Sequence, residues 1–157
     1  EASGGWKHNY ERGVSARYVP INDRWGYKFY GSDYVADKTF CAQKQAYEYD
    51  AAPQVGRKFD FTLGSTKVFG YITECIETQL ADKRPSEWEV FPWQWNIKDL
   101  SEYLELMHKL CEAFKRKYAD INSLLSFAAD NDMHAYNCGY LRNTLVCIDF
   151  DNLFVEH

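Results

Sequence analysis

The order of sequence patterns predicts an α+β chain folded as two lobes. Strand patterns with one helix come first, helices follow, and a loop with short strands closes the chain. Three observations predict this. Residues 13–35 and 58–76 are rich in β-formers and alternate in polarity. From Ile97 to Tyr118, apolar side chains recur at three- and four-residue steps. A polar loop, Asp132 to Asn137, precedes an apolar run, Leu145 to Ile148, that stops at Asp149. A chain of 157 residues is long enough to bury a core, as one domain or as two small lobes sharing a hinge.

Composition narrows the function classes. A net charge of −5 and a pI near 5.4 argue against binding nucleic acid over the whole surface, which requires a basic footprint. A local basic cleft is compatible with them. The five cysteines are scattered and form no C-x-x-C pair; most sit in apolar runs and read as small hydrophobes of a reducing, cytoplasmic protein. No signal-peptide pattern opens the chain. No apolar run approaches the roughly 18 residues of a membrane span, so no membrane partner is expected. Residues 1–11 are expected to be disordered or tag-like.

Taken in order, residues 12–77 form a first lobe. Gly13 to Val19 reads as strand, turn or loop, and strand, Pro20-Ile21-Asn22-Asp23 as a turn, and Trp25 to Tyr30 as a second strand. Lys28 lies between aromatics and faces opposite to Tyr27 and Phe29. Residues 36–51 read as a helix that ends at Pro53, with Phe40, Lys44, Tyr47 and Glu48 on one side. Lys58 to Thr62 and Lys67 to Ile76 are strands joined by a Gly64-Ser65 hairpin turn. Residues 78–96 read as a linker whose Trp88–Trp95 aromatics plug the junction. Residues 97–157 form the second lobe: a long helix capped by Asn96, a helical piece from Ile121 to Ala128, the Asp-rich loop, a tight turn at Gly139 and the final strand.

The loop and the strand end carry chemistry. Asp132-x-His134-x-x-Asn137 followed by Ile148-Asp149-Phe150-Asp151 resembles the catalytic and metal-binding loops of the protein-kinase-like superfamily. It is most similar to the aminoglycoside- and choline-type phosphotransferase branch. The five-residue spacing, 137 − 132, equals the Asp-to-Asn spacing of the protein-kinase loop. The resemblance covers about residues 12–155. It implies a two-lobed kinase-like fold with an N-terminal antiparallel sheet and one helix, and a reduced, mainly helical C-terminal lobe. It implies ATP and Mg²⁺ as cofactors. Asp132 would orient the acceptor hydroxyl and take its proton, with His134 ordering the loop beside it. Asn137 and Asp149 would offer hard oxygens to Mg²⁺. Lys28 would hold the phosphates, Gly13 would lie in the covering loop, and Glu48 would pair with Lys28. Thr73 to Ile76 would be the hinge that holds adenine, which brings Glu74 and Ile76 into the cofactor set.

The pattern also departs from the family. There is no G-x-G-x-x-G, Asp130 stands where a His usually precedes the catalytic Asp, and only a few residues follow Asp151. A kinase fold cut to this size suits a phage or mobile-element genome.

Other readings stay open. The Asp132–Asn137 stretch also reads as an Asx-rich turn capped by its own side chains. Lys28 also reads as a strand lysine snorkelling to a solvated face. The whole chain also reads as a pseudokinase-type module that inhibits or scaffolds a partner protein, the acidic surface suiting a basic one. A third reading is a sugar- or peptide-binding aromatic domain with chance Asp motifs. The His134/Cys138 and His108/Cys111 spacings are loosely zinc-like but lack a second ligand pair.

Overall fold

The structure, a computed structural model, describes residues 16–80, 97–131, 133 and 137–150. Ten elements follow in order: β1 (Arg17–Pro20), β2 (Trp25–Tyr30), α1 (Asp33–Tyr47), β3 (Val55–Leu63), β4 (Thr66–Glu74), β5 (Thr78–Gln79), α2 (Ile97–Ala113), α3 (Ile121–Asp130), β6 (Cys138–Leu141) and β7 (Thr144–Cys147). The α+β class is as the sequence predicts, and both sheets are antiparallel.

The first sheet has strand order β1-β2-β4-β3. An Asx turn starts it. Asn22 Oδ1 accepts from the amides of Arg24 (2.9 Å) and Trp25 (2.8 Å), which reverses the chain between β1 and β2. Gly64, at φ 63°, makes the tight turn between β3 and β4 that the Gly64-Ser65 pair predicts. The central strand β4 reaches β2 on one side and β3 on the other, so α1 is the crossover between two hairpin-like pairs.

Helix α1 differs from expectation at both ends. It starts earlier because Ser32 Oγ caps the Val35 amide at 3.3 Å. It ends at Tyr47, because the chain then turns through Asp50 in the left-handed region (φ 61°), before Pro53 is reached. Its buried side is Ala36, Thr39, Ala42, Gln43 and Ala46, not the side of Phe40, Lys44 and Glu48. Small residues let the helix lie close against the sheet, with Phe40 half-buried beside them and edge-on to Tyr71.

The second sheet has order β5-β6-β7. Thr78 and Gln79, inside the stretch read as linker, form β5. Its pairing with β6 is continued by Glu77 N–H to Tyr140 O (2.8 Å) and Leu80 N–H to Cys138 O (2.9 Å). The tight turn expected at Gly139 is a correction: Gly139 lies inside β6. A Cβ there would overlap Ile76 Cδ1, so glycine serves close packing between chain segments. The chain reverses instead at Arg142 and Asn143, both left-handed (φ 51° and 66°), which is the primed-turn geometry that matches strand twist.

The largest core cluster joins both halves. Ala42, Ala46, Ala51 and Ala52 after β2 pack with Tyr103, Met107 and Leu110 of α2, Phe127 of α3, and Cys147 and Phe150 beyond β6. Leu106 and Ala113 are also buried on α2, whereas Phe114 and Tyr118 lie past its end and pack only partly. Full burial of one such apolar side chain contributes about 1.5–3 kcal/mol before chain entropy is counted. Gln45 Nε2 bonds to Ala113 O, and Cys147 N–H to Ala51 O at 2.8 Å, so the two sheets are fixed to each other through the α1 end.

Candidate functional site

The site forms where the inner face of the first sheet meets the chain leaving β7. Strand alternation sends Gly26, Lys28 and Tyr30 to the inner face of β2. Lys28 is 1% exposed, and its Nζ donates to Ile148 O at 2.9 Å. The snorkelling alternative is therefore excluded: the stem runs inward. Nζ also stands 6.0 Å from the centre of the Phe150 ring. The amide of the same residue, Ile148, donates to Asn137 O at 2.9 Å. One residue, directly before Asp149, thus accepts from the Lys28 ammonium through its carbonyl and donates to the Asn137 main-chain carbonyl through its amide. Asn137 and Asp149 flank one short hairpin, Lys28 comes from a distant strand, and all three are buried.

The polypeptide around this point is firmly held. Tyr103 donates from its hydroxyl to Met133 O at 2.6 Å, and Met133 N–H bonds to Ala128 O at 2.9 Å. Asn131 Nδ2 bonds to Phe127 O at 2.9 Å, closing the end of α3. Cys147 Sγ lies 3.2 Å from Asp149 O and 3.7 Å from Met133 Sδ. Burial first, and the neighbouring Cys138 second, push the Cys147 thiol well above its ordinary range, so it is a protonated packing group. Burial likewise raises Cys138 to about 12. Rigid, buried support of this kind fixes the direction of the side chains it carries.

Other predicted residues lie elsewhere or are not described. Gly13, Asp132 and His134 fall outside the described residues, as do the Trp88–Trp95 aromatics and Asp151. Glu48 is exposed at the C-cap of α1, where it lines an open surface hollow with Cys41, Lys44, Gln45, Tyr49 and Lys115. Its side chain is turned away from the buried Lys28. The helix residue that does enter the interior is Gln43: its Nε2 donates to Thr73 Oγ1 (2.7 Å) and Pro53 O (3.0 Å), and its Oε1 accepts from Tyr71 (2.9 Å).

Glu74 ends β4 with a side chain only 1% exposed. Arg142 Nη1 reaches its Oε2 at 2.6 Å, Arg24 Nε reaches it at 3.3 Å, and the Gln54 amide donates to Oε1 at 3.3 Å. Burial alone would raise this carboxyl. The hydrogen bonds from Arg142, Gln54 and Arg24 outweigh it and hold the group below its ordinary value. Glu74 is thus a tie between the first sheet and the β6–β7 turn. Ile76 follows it and packs on Leu141, Val146 and Ile148. Around it the Glu74 and Cys75 amides are spent on Gln54 O (2.9 Å) and Arg24 O (2.8 Å).

Tyr18, Arg24 and Arg142 are the residues that sequence reasoning passed over. Tyr18 had a signal: once the Asn22 turn is placed, the hairpin register sets it opposite Lys28. Arg142 had none, because its partner Glu74 is remote in sequence.

Among the described residues, no three His, Cys, Asp or Glu side chains converge as a metal cage. Among the described residues no helix is long and apolar enough to cross a membrane. Comparison with known protein families, with curated proteins and with solved structures found no match.

Proposed function

We propose that this protein is a Mg²⁺- and ATP-dependent phosphotransferase built on a small two-lobed kinase-like fold. The observation that carries the reading is the convergence on Ile148: Lys28 Nζ on its carbonyl and Asn137 O on its amide, with Asp149 next in the chain. The resemblance assigns these three residues to the phosphates and the metal from sequence alone. The arrival of the Lys28 ammonium at the residue before Asp149, from 120 residues away, is an independent support. The strand order β1-β2-β4-β3, with one helix crossing between β2 and β3, agrees with the N-terminal lobe that the resemblance implies.

In this reading each residue has a role that phosphoryl transfer requires. Lys28 offers a cation to the phosphates from a buried stem, in surroundings where charge is poorly screened. Asn137 and Asp149 present oxygens for Mg²⁺, which when bound neutralises phosphate charge. Asp132 orients an acceptor hydroxyl and accepts its proton. Substitution Asp132→Ala is expected to lower phosphate transfer from Mg·ATP by about 10²–10⁴-fold, the usual contribution of a positioned acid–base group. Transfer is read as labelled-phosphate release or self-phosphorylation, with the melting temperature as a fold control. Undiminished transfer in that variant would remove Asp132 from its role.

A second reading, a pseudokinase-type module that grips a partner protein without catalysis, is favoured by one observation. Lys28 is almost fully buried, with its ammonium on a backbone carbonyl. Titration with Mg·ATP, followed by calorimetry or thermal shift, separates the two readings, since a bound nucleotide raises the melting temperature by mass action.

A further inference from the structure

Tyr18 stands outside the roles assigned above, yet it occupies the cleft they share. It pairs with Lys28 across the β1–β2 register, so the two side chains leave the same face of the sheet. From there the Tyr18 ring runs across β2 at Gly26. A Cβ added to Gly26 would overlap Tyr18 Oη, Cζ and Cε1, so the ring lies directly on that glycine. Its hydroxyl contacts Cys75 Sγ, in the Thr73–Ile76 segment. The side chain is buried, at 6% relative exposure.

The ring therefore fills the span between Cys75 and Lys28. On the phosphotransferase reading, on which this inference rests, a nucleotide base must lie in that span, with the hinge at one end and the phosphate-holding lysine at the other. A purine and a phenol ring have the same thickness, and an interior packed at crystal density holds one of them, not both. We infer that Tyr18 is an intramolecular plug of the base pocket: nucleotide enters only when the ring leaves Gly26 and Cys75. The apparent affinity of the intact protein is then the intrinsic affinity multiplied by the fraction of molecules with the ring displaced. Gly26 is what allows the plugged state, since any larger residue takes the seat of the ring.

Calorimetric titration of Mg·ATP into the intact protein and into two variants tests this. Tyr18→Val removes the ring and keeps a β-forming residue on β1. Gly26→Ala keeps the ring and takes away its seat, so it decides the matter if Tyr18→Val does not fold. Each variant is checked for folding by circular dichroism before titration. The expected result is at least tenfold tighter binding in either folded variant, abolished again when Lys28→Met is added. Binding equal to or weaker than that of the intact protein, with Lys28→Met still reducing it, overturns the plug and leaves the phosphotransferase reading standing. No binding in the intact protein or in any folded variant overturns that reading and the plug with it.

Discussion

On the outer face of the four-stranded sheet, the Tyr27 ring of β2 lies against Phe29 of the same strand (5.5 Å between ring centres) and against Phe59 (4.8 Å) and Phe61 (5.3 Å) of β3. On the inner face, the residues between them are Gly26, Lys28 and Tyr30, and the neighbouring strand adds Tyr71 and Thr73. Both faces bury their side chains on β2. The outer one does so with aromatic rings packed on each other and on Val68 and Ile72. The inner one does so with polar groups that each need a partner: Lys28 on Ile148 O, Tyr71 and Thr73 on Gln43, Tyr18 on Cys75. Rings in a sandwich stabilise without specifying chemistry, whereas buried polar groups are costly unless satisfied and so mark where the fold has been constrained for another purpose. The inner face is accordingly the one on which the proposed function draws.

That division can be broken by substitution. The largest effect on stability is expected from Phe29→Ala on the outer face. Loss of a buried ring there should cost about 3–4 kcal/mol, read as a lower denaturant midpoint, with nucleotide affinity unchanged. A coupled loss of nucleotide affinity in the folded variant would mean that the two faces are not separable.

Lys28→Met should behave in the opposite way. It keeps the length of the stem and removes the ammonium, so stability should change by less than about 1.5 kcal/mol. Mg·ATP affinity should fall by about 10- to 100-fold, the equivalent of one strong charged hydrogen bond. A stability loss matching that of Phe29→Ala would reclassify Lys28 as packing.

The smallest effect is expected at the margin between the faces, at Glu74. Glu74→Gln keeps the shape of the side chain and weakens the bonds from Arg142 and Arg24. Because the arginine side chains are each 60% exposed, the loss should be about 1–2 kcal/mol, or a few degrees in melting temperature. The carboxyl is held below its ordinary value of 4.5, so its contribution is complete above that pH. It disappears as pH falls through the lowered value of the folded state. Melting curves between pH 7 and pH 3 should accordingly converge for the intact protein and the variant at the acid end. Parallel curves would show that Glu74 is not the group responsible.

Much of the fold was legible because it is local. Period-two alternation marks β2, β3 and β4, the Asn22 and Gly64 turns set their pairing, and the apolar stripe from Ile97 marks α2. Turns misled where glycine had a second use. Gly139 serves close packing against Ile76, while Arg142 and Asn143 adopt the left-handed turn that glycine usually supplies. Helical spacing put Phe40, Lys44, Tyr47 and Glu48 on one side of α1 without deciding which side meets the sheet. The sheet accepts the small Ala36, Ala42 and Ala46 with Thr39 and Gln43.

Of the candidate site, the residue types and their spacing from Asn137 to Asp149 were set by the sequence alone, because a loop and a short hairpin are local structures. Sequence also set the face on which Lys28 lies, through strand alternation. Only the tertiary structure decided what that face meets. The bond from Lys28 Nζ to Ile148 O spans 120 residues, and the tie from Arg142 to Glu74 spans 68. No periodicity encodes either contact, since each depends on how two sheets dock through the end of α1. The same docking turned Glu48 outward and Gln43 inward, and it laid the Tyr18 ring across Gly26, because a glycine there leaves the room that a neighbouring aromatic fills.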